Sequence, residues 1–139
     1  MDLQAFLAPA AEENVRAVVS RRFTDGDGNP VEWEIRTITA EEDEVLRRSC
    51  MKRVPAGNRK GQFVMDFDYN RYAGLLAAAC TVYPDLNSQA LQEGYHVLGA
   101  DQLLKAMLKP GEYMDYLNRV QEVNGFHVSM GELVDEAKK

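Results

Sequence analysis

The sequence predicts a mainly α fold with a small N-terminal β-hairpin, an α+β arrangement in which about six helical segments surround a central apolar helix. Three observations predict it. Period-two alternation marks residues 31–37 near the N-terminus. Helical spacing of apolar residues recurs after residue 39. A stretch at residues 69–83 is apolar around most of a helix's circumference. At 139 residues the chain has the length of one domain able to bury a core. The expected organisation is a single domain over residues 1–139, with an N-terminal arm at 1–14, a hairpin at 15–38 and a helical body at 39–139.

Leu3, Phe6 and Leu7 have the spacing of one apolar face of a short helix stopped by Pro9, and they also fit a loose arm. Residues 15–23, rich in Val and carrying Arg16, Arg21 and Arg22, read as a strand. The turn cluster Thr24-Asp25-Gly26-Asp27-Gly28-Asn29-Pro30 follows. Val31, Trp33, Ile35 and Thr37 then alternate with Glu32, Glu34 and Arg36, the pattern of a half-buried strand. Two such runs around a Gly-rich turn predict a hairpin, and arginines opposite glutamates favour antiparallel pairing.

Thr39-Ala40-Glu41-Glu42 is a capping box, in which hydroxyl and carboxylate satisfy free backbone donors at a helix start. The helix it opens is expected to run to about residue 53, with Val45, Leu46, Ser49 and Cys50 on one face. A polar, basic loop continues to residue 61, and Phe63, Met65 and Phe67 alternate as a short third strand would. Asp68 caps the central helix, expected over 69–83. Tyr69, Tyr72, Ala73, Leu76, Ala79, Cys80 and Tyr83 share one side of it at about 100° per residue. Gly74, Ala77, Ala78 and Ala79 are small enough for neighbours to approach closely.

Asn87 or Ser88 can cap a short helix bearing Leu91 and Tyr95. After Gly99 comes a helix with Leu103, Leu104, Met107 and Leu108. Pro110 opens the next, in a first turn where its missing donor costs little. Tyr113, Tyr116, Leu117, Val120 and Val123 form its stripe, and Gly125 stops it. Ser129-Met130-Gly131-Glu132 is a second capping box, predicting a last helix.

Net charge is -6 with an isoelectric point near 4.9. An acidic surface repels phosphate backbones and anionic membranes, which argues against nucleic-acid and membrane partners. The N-terminus lacks the basic start and apolar run of a signal peptide. No stretch approaches the ~20 apolar residues of a membrane helix, so the expected location is the cytoplasm. Cys50 and Cys80 sit in apolar helical contexts and read as small buried hydrophobes.

No pattern here carries chemistry. Asp25-Gly26-Asp27-Gly28-Asn29 opens like a calcium loop, but the sixth and twelfth positions hold Pro30 and Arg36 where glycine and a bidentate glutamate are needed. His96 and His127 stand alone, outside any spaced metal motif. Asn58-Arg59-Lys60-Gly61 lacks the glycines and Gly-Lys-Ser/Thr ending of a phosphate loop. Glu41, Glu42, Asp43 and Glu44 suit the positive end of a helix dipole. No catalytic, cofactor-binding or metal-binding residue is assigned, no cofactor is expected, and the chain does not read as an enzyme.

What remains is binding to another protein. Arg47, Arg48, Lys52, Arg53, Arg59 and Lys60 concentrate positive charge in an acidic chain, as a solvated face or as a contact for an acidic partner. Met51 is expected off the apolar stripe of its helix, and Met114 at the edge of another; methionine suits adaptable binding surfaces. The candidate partner contacts are therefore Met51, Arg47, Arg48, Lys52 and Met114.

Several local phrases resemble the XkdN-like family of phage tail assembly chaperones. They begin with Asp2-Leu3-Gln4-Ala5-Phe6-Leu7, Val18-Val19-Ser20-Arg21-Arg22-Phe23 and Gly28-Asn29-Pro30-Val31. Arg36-Thr37-Ile38-Thr39, Glu41-Glu42-Asp43 and Arg48-Ser49-Cys50 follow. The longest is Leu76-Ala77-Ala78-Ala79-Cys80-Thr81-Val82-Tyr83-Pro84-Asp85-Leu86-Asn87. Lys109-Pro110-Gly111-Glu112-Tyr113 and Val120-Gln121-Glu122-Val123-Asn124-Gly125-Phe126 complete the set, which spans nearly the whole chain. The resemblance implies a protein of the host cytoplasm, absent from the finished virion. It would bind the tape-measure protein, keep it soluble, and help tail-tube subunits polymerise around it. The competing expectations are a structural tail protein retained in the particle and a small nucleic-acid-binding regulator of a mobile element.

Overall fold

A computed structural model describes residues 3–7, 14–58 and 60–126. The elements run α1 (Gln4–Leu7), β1 (Val15–Val18), β2 (Glu32–Ile35), α2 (Ala40–Ser49), β3 (Met51–Pro55), β4 (Phe63–Phe67) and α3 (Tyr69–Cys80). Then come β5 (Thr81–Tyr83), α4 (Gln89–Gly94), α5 (Ala100–Met107) and α6 (Pro110–Val123). The fold is α+β, with antiparallel strands and more helix than strand. The last predicted helix, from Ser129, and His127 lie outside the described residues.

The predicted hairpin forms, with β1 antiparallel to β2 and Val15 opposite Ile35. Arg16 faces Glu34, their charged atoms 3.6 Å apart, as the charge pattern predicted. The first strand is shorter than expected, ending at Val18 rather than residue 23. Tertiary contacts take over there. The Arg22 amide donates to Ser20 Oγ at 3.2 Å, while its guanidinium leaves the ladder and donates to the Met107 carbonyl at 2.8 Å. A separate bridge between Thr24 and Pro30 closes the turn. Inside it, the Asp25 carboxylate accepts from the amides of Asp27 and Asn29 at 2.8 and 3.0 Å. The would-be calcium loop is a turn organised by its first aspartate.

Two helices also end earlier than predicted. α2 starts on the Thr39–Glu42 capping box but stops at Ser49, not near residue 53. Its last turn closes on itself: the Ser49 hydroxyl donates to the Leu46 carbonyl at 2.7 Å and the Cys50 amide to Arg47 at 3.1 Å. Residues 51–55 become β3, because the strand at 63–67 needs a ladder partner for its backbone and Val54 pairs there with Val64. α3, capped by Asp68 as predicted, ends at Cys80 rather than residue 83. The β-branched Thr81 and Val82 and the residue before Pro84 favour extended backbone. β5 joins β2, making a three-stranded sheet in the order β1-β2-β5.

α3 is the centre of the fold, packing against α2, α5 and α6. Tyr72, Ala73, Gly74, Leu76, Ala77 and Cys80 are buried on it, while Tyr69 at one end of the predicted stripe, and Tyr83 beyond the helix, are exposed. The predicted close approach falls at Gly74, where a Cβ would lie 2.8 Å from the Tyr113 hydroxyl of α6. Leu103, Leu104 and Met107 of α5 and Tyr116, Leu117 and Val120 of α6 complete the helical side of the core. From the sheet come Trp33 and Ile35 on β2, both buried. Cys50 and Cys80 are buried free thiols. Beyond α6, Asn124 ties the layers together. Its carbonyl accepts from the Ile38 amide at 2.9 Å, and its amide donates to the Val120 carbonyl at 2.9 Å.

Arg22 also reaches the first turn of α6, donating to Glu112 Oε1 at 2.6 Å. That bond, with help from Ser20 and the Lys109 amide, holds the Glu112 carboxyl down to about 2. A depressed carboxyl stabilises the fold above its unfolded value, near 4.5, and the contribution disappears as pH falls through the folded value. Glu112→Gln is therefore expected to melt slightly below wild type at neutral pH, with the gap closing between about pH 4.5 and 2. The effect is small because the pair is partly solvated. Melting curves of both proteins across that window check it; a gap unchanged at pH 2 contradicts it.

Candidate partner-binding surface

β3 and β4 form a two-stranded antiparallel hairpin separate from the main sheet. An isolated two-stranded hairpin is marginal in water, so its base matters. The Asp68 amide donates to the Cys50 carbonyl at 2.8 Å, and Lys52 lies 3.7 Å from the Asp68 carboxylate. Phe67 anchors the base, its ring 5.5 Å from that of the buried Tyr72. At the turn, Gly57 and Gly61 take φ of 59° and 76°, conformations a side chain resists.

Arg47 braces this base. Its guanidinium donates to Asp43 at 2.8 Å, lies 4.5 Å from the Tyr72 ring centroid and 5.9 Å from that of Phe67. The Tyr72 hydroxyl donates to Asp43. Burial pushes the Tyr72 phenol up, and its bond to Asp43 adds to the effect.

Farther along, the hairpin is open among the described residues. Register and pleat put Met51, Arg53, Phe63, Met65 and Phe67 on one face, and Lys52, Val54, Val64 and Asp66 on the other. Phe63, Val64 and Met65 are each more than half exposed, and Met51 is 41% exposed. Arg53 sits over the Phe63 ring at 4.6 Å. The result is an apolar, methionine-bearing surface rimmed by cations, on an arm that projects from the core. Such a surface binds apolar side chains adaptably.

Of the residues singled out from sequence, Met51 and Lys52 both lie on β3 but on opposite faces of it, with Arg48 exposed in the last turn of α2 nearby in the chain. Met51 is on a strand, so its expected helical offset from the Val45 stripe does not apply; α2 ends two residues before it. Arg47 is already engaged with Asp43 and Tyr72. Met114 is exposed on α6, a separate element. Sequence reasoning passed over Phe63, Val64 and Met65 as surface. The available signal was a strand apolar on both faces with no second predicted layer to cover it.

Elsewhere, a groove of about 620 Å³ opens between β1 and α6. Arg16, Glu112, Asp115, Asn118, Arg119 and Glu122 give it a mainly polar lining. No group of three or more metal-ligating side chains occurs among the described residues, and no helix among them is long and apolar enough to cross a membrane.

Residues 3–138 match the family model described as phage XkdN-like tail assembly chaperone protein. The chain belongs to that family. It is 33% identical over 129 residues to the phage-like element PBSX protein XkdN of Bacillus subtilis (strain 168), covering 91% of this chain and 84% of the relative. The protein YqbN of the same strain is 32% identical over the same shares. The crystal structure of YqbN superposes with a TM-score of 0.73 at 27% identity, covering 91% of this chain and 98% of that one. The family description is that of an assembly chaperone, not of an enzyme.

Proposed function

We propose that this protein grips the tape-measure protein in the host cytoplasm during tail morphogenesis, using the outer part of the β3–β4 hairpin. Family membership supplies the class of activity. The observation that carries the rest is the exposed Met51, Phe63 and Met65 surface on an arm whose base alone is anchored. A client in need of a chaperone presents amphipathic helices, and a helix lays its apolar face on such a surface. Methionine accommodates successive, non-identical helices along a long client better than a rigid pocket does. Bound in this way, the client stays dispersed until tail-tube subunits assemble around it.

The test is co-expression with a tape-measure protein from the same phage or prophage genome. Soluble client co-eluting with this chain is the expected result; client left insoluble overturns the reading. Met51→Ser with Met65→Ser should lower the co-eluting client at least tenfold. The melting temperature should move by no more than about 3 °C, since both side chains are exposed. Met51→Ser and Met114→Ser made singly separate the hairpin from α6 as the contact. Full client recovery with the hairpin variant would remove the hairpin from the site.

A further inference from the structure

The hydrogen bonds at the two ends of the β3–β4 ladder fix which backbone groups reach its open edges. The Asp68 amide donates to the Cys50 carbonyl at 2.8 Å, and the Ala56 amide to the Gln62 carbonyl at 3.0 Å. Residues 50 and 68 are therefore a bonded pair, as are 56 and 62. Alternation along an antiparallel ladder makes 52 with 66 and 54 with 64 bonded pairs as well. The N–H and C=O groups of Phe63, Met65 and Phe67 consequently point away from β3, and the backbone groups of Met51, Arg53 and Pro55 point away from β4. Among the described residues no further strand pairs with either edge. The two edges differ in chemistry. Pro55 has no amide, and Arg53 puts a cation at the middle of the β3 edge, both of which discourage pairing. β4 has neither a proline nor a cation, and Phe63, Val64 and Met65 are more than half exposed on it.

We infer that the β4 edge pairs with the β4 edge of a second copy, antiparallel about a two-fold axis at Met65. That register sets Phe63 opposite the second copy's Phe67, and Met65 opposite its own equivalent. It uses all three outward amides and all three outward carbonyls of each copy. Opposite side chains in an antiparallel pair share a face, so the phenylalanines and methionines meet on the apolar one. On the other face Val64 meets Asp66, and no like charges stand opposite. The edge completes itself, which is the reason for assigning a second copy rather than a foreign strand. The same operation on β3 would set Arg53 against Arg53 and leave the Met51 carbonyl, opposite Pro55, without a donor. Pairing turns a marginal two-stranded hairpin into half of a four-stranded sheet. Its two-fold symmetry closes the assembly at a dimer. It uses the edge and leaves both faces open, so it stands independently of client capture.

Sedimentation equilibrium of the full chain tests it. Wild type should approach twice the 15.6 kDa mass of one chain as concentration rises. Hydrogen exchange at the Phe63, Met65 and Phe67 amides should slow in step, since the β3–β4 ladder does not protect them. Met65→Pro removes an outward amide and no bond to β3, so it should weaken the dimer at least about tenfold. Arg53→Pro, the equivalent change on the other edge, should leave the dimer intact. Register is read by mixing Val64→Cys with Asp66→Cys under copper-phenanthroline oxidation, the native thiols being buried. The two positions are directly opposite in a close, unbonded pair, so the mixture should cross-link faster than either variant alone. A wild type monomeric at millimolar concentration, or exchange that ignores concentration, would overturn the inference. So would a dimer that survives Met65→Pro or is lost equally in Arg53→Pro, and so would a mixture that cross-links no faster. A monomer whose β4 amides slow only when another protein is added also overturns it, in favour of a foreign strand.

Discussion

Leu76→Asp is expected to abolish the folded state. Leu76 is 1% exposed, on the side of α3 that faces the other helices. Arg47, which packs on Tyr72 of the same helix, is already held by Asp43 and by the Tyr72 ring. Burying an unpaired charge costs several kcal/mol, and a small domain has a total margin of about 5–15 kcal/mol. The carboxyl can also be buried in its neutral form, with its pKa driven upward, but the hydroxyl still lacks a partner and the packing of Leu76 is still lost. Circular dichroism at 25 °C should show an unfolded spectrum or a melt shifted far down. Leu76→Ala provides a graded companion, expected to cost about 2–5 kcal/mol while keeping one cooperative transition. A Leu76→Asp protein melting close to wild type would mean that α3 does not carry the core.

How far the chain could be read in advance depended on what decides each element. α5 and α6 were legible because their apolar residues fall at helical spacing and their ends carry local signals. Gly99 precedes one, and Pro110 with Glu112 opens the other. The caps at Thr39, Asp68 and Ser88 are equally local, and each makes the expected bond to the backbone. The misread segments are those whose state is set by a partner distant in sequence. Residues 51–53 continue α2 plausibly when seen alone; they open a strand because residues 63–67 offer a ladder. Residues 81–83 continue α3 equally well until β2 claims them. Arg22 left its expected strand for Met107 and Glu112, some 85 to 90 residues away.

The candidate surface was legible in charge and not in shape. Arg47, Arg48 and Lys52 stood out because an acidic chain makes a basic cluster visible. Met51 was singled out through a helical argument that does not hold, and it is on the surface for a different reason. Phe63 and Met65 read only as alternating positions of a short third strand, with nothing in the pattern to mark them as exposed. Their exposure follows from topology: among the described residues no second layer packs on the outer part of the hairpin. Hydropathy does not encode that.

Trp33→Ala should be the second largest loss. Trp33 is the chain's one tryptophan and is 1% exposed on β2, the central strand of its sheet. Its ring meets Tyr116 of α6 edge-on, centroids 5.2 Å apart, and Phe23 of the turn region at 6.2 Å. It therefore joins sheet to helices at the place where the hydroxyls of Tyr116 and Thr81 also meet, 2.6 Å apart. Truncation removes the apolar area, leaves a cavity that α6 cannot close without moving, and takes away the ring that meets Tyr116 edge-on. A buried aromatic replaced by alanine costs about 3–5 kcal/mol, and the lost edge-on pair is included in that figure. The expected result is a single transition at much lower denaturant concentration, with an unchanged slope because the surface exposed on unfolding is nearly the same. Trp33→Phe should recover most of the loss, since a ring remains against Tyr116. If Trp33→Ala loses less than about 1 kcal/mol, within the range of an ordinary surface change, then the sheet and α6 are not held together through this ring, and the three-stranded sheet is a peripheral feature of the fold.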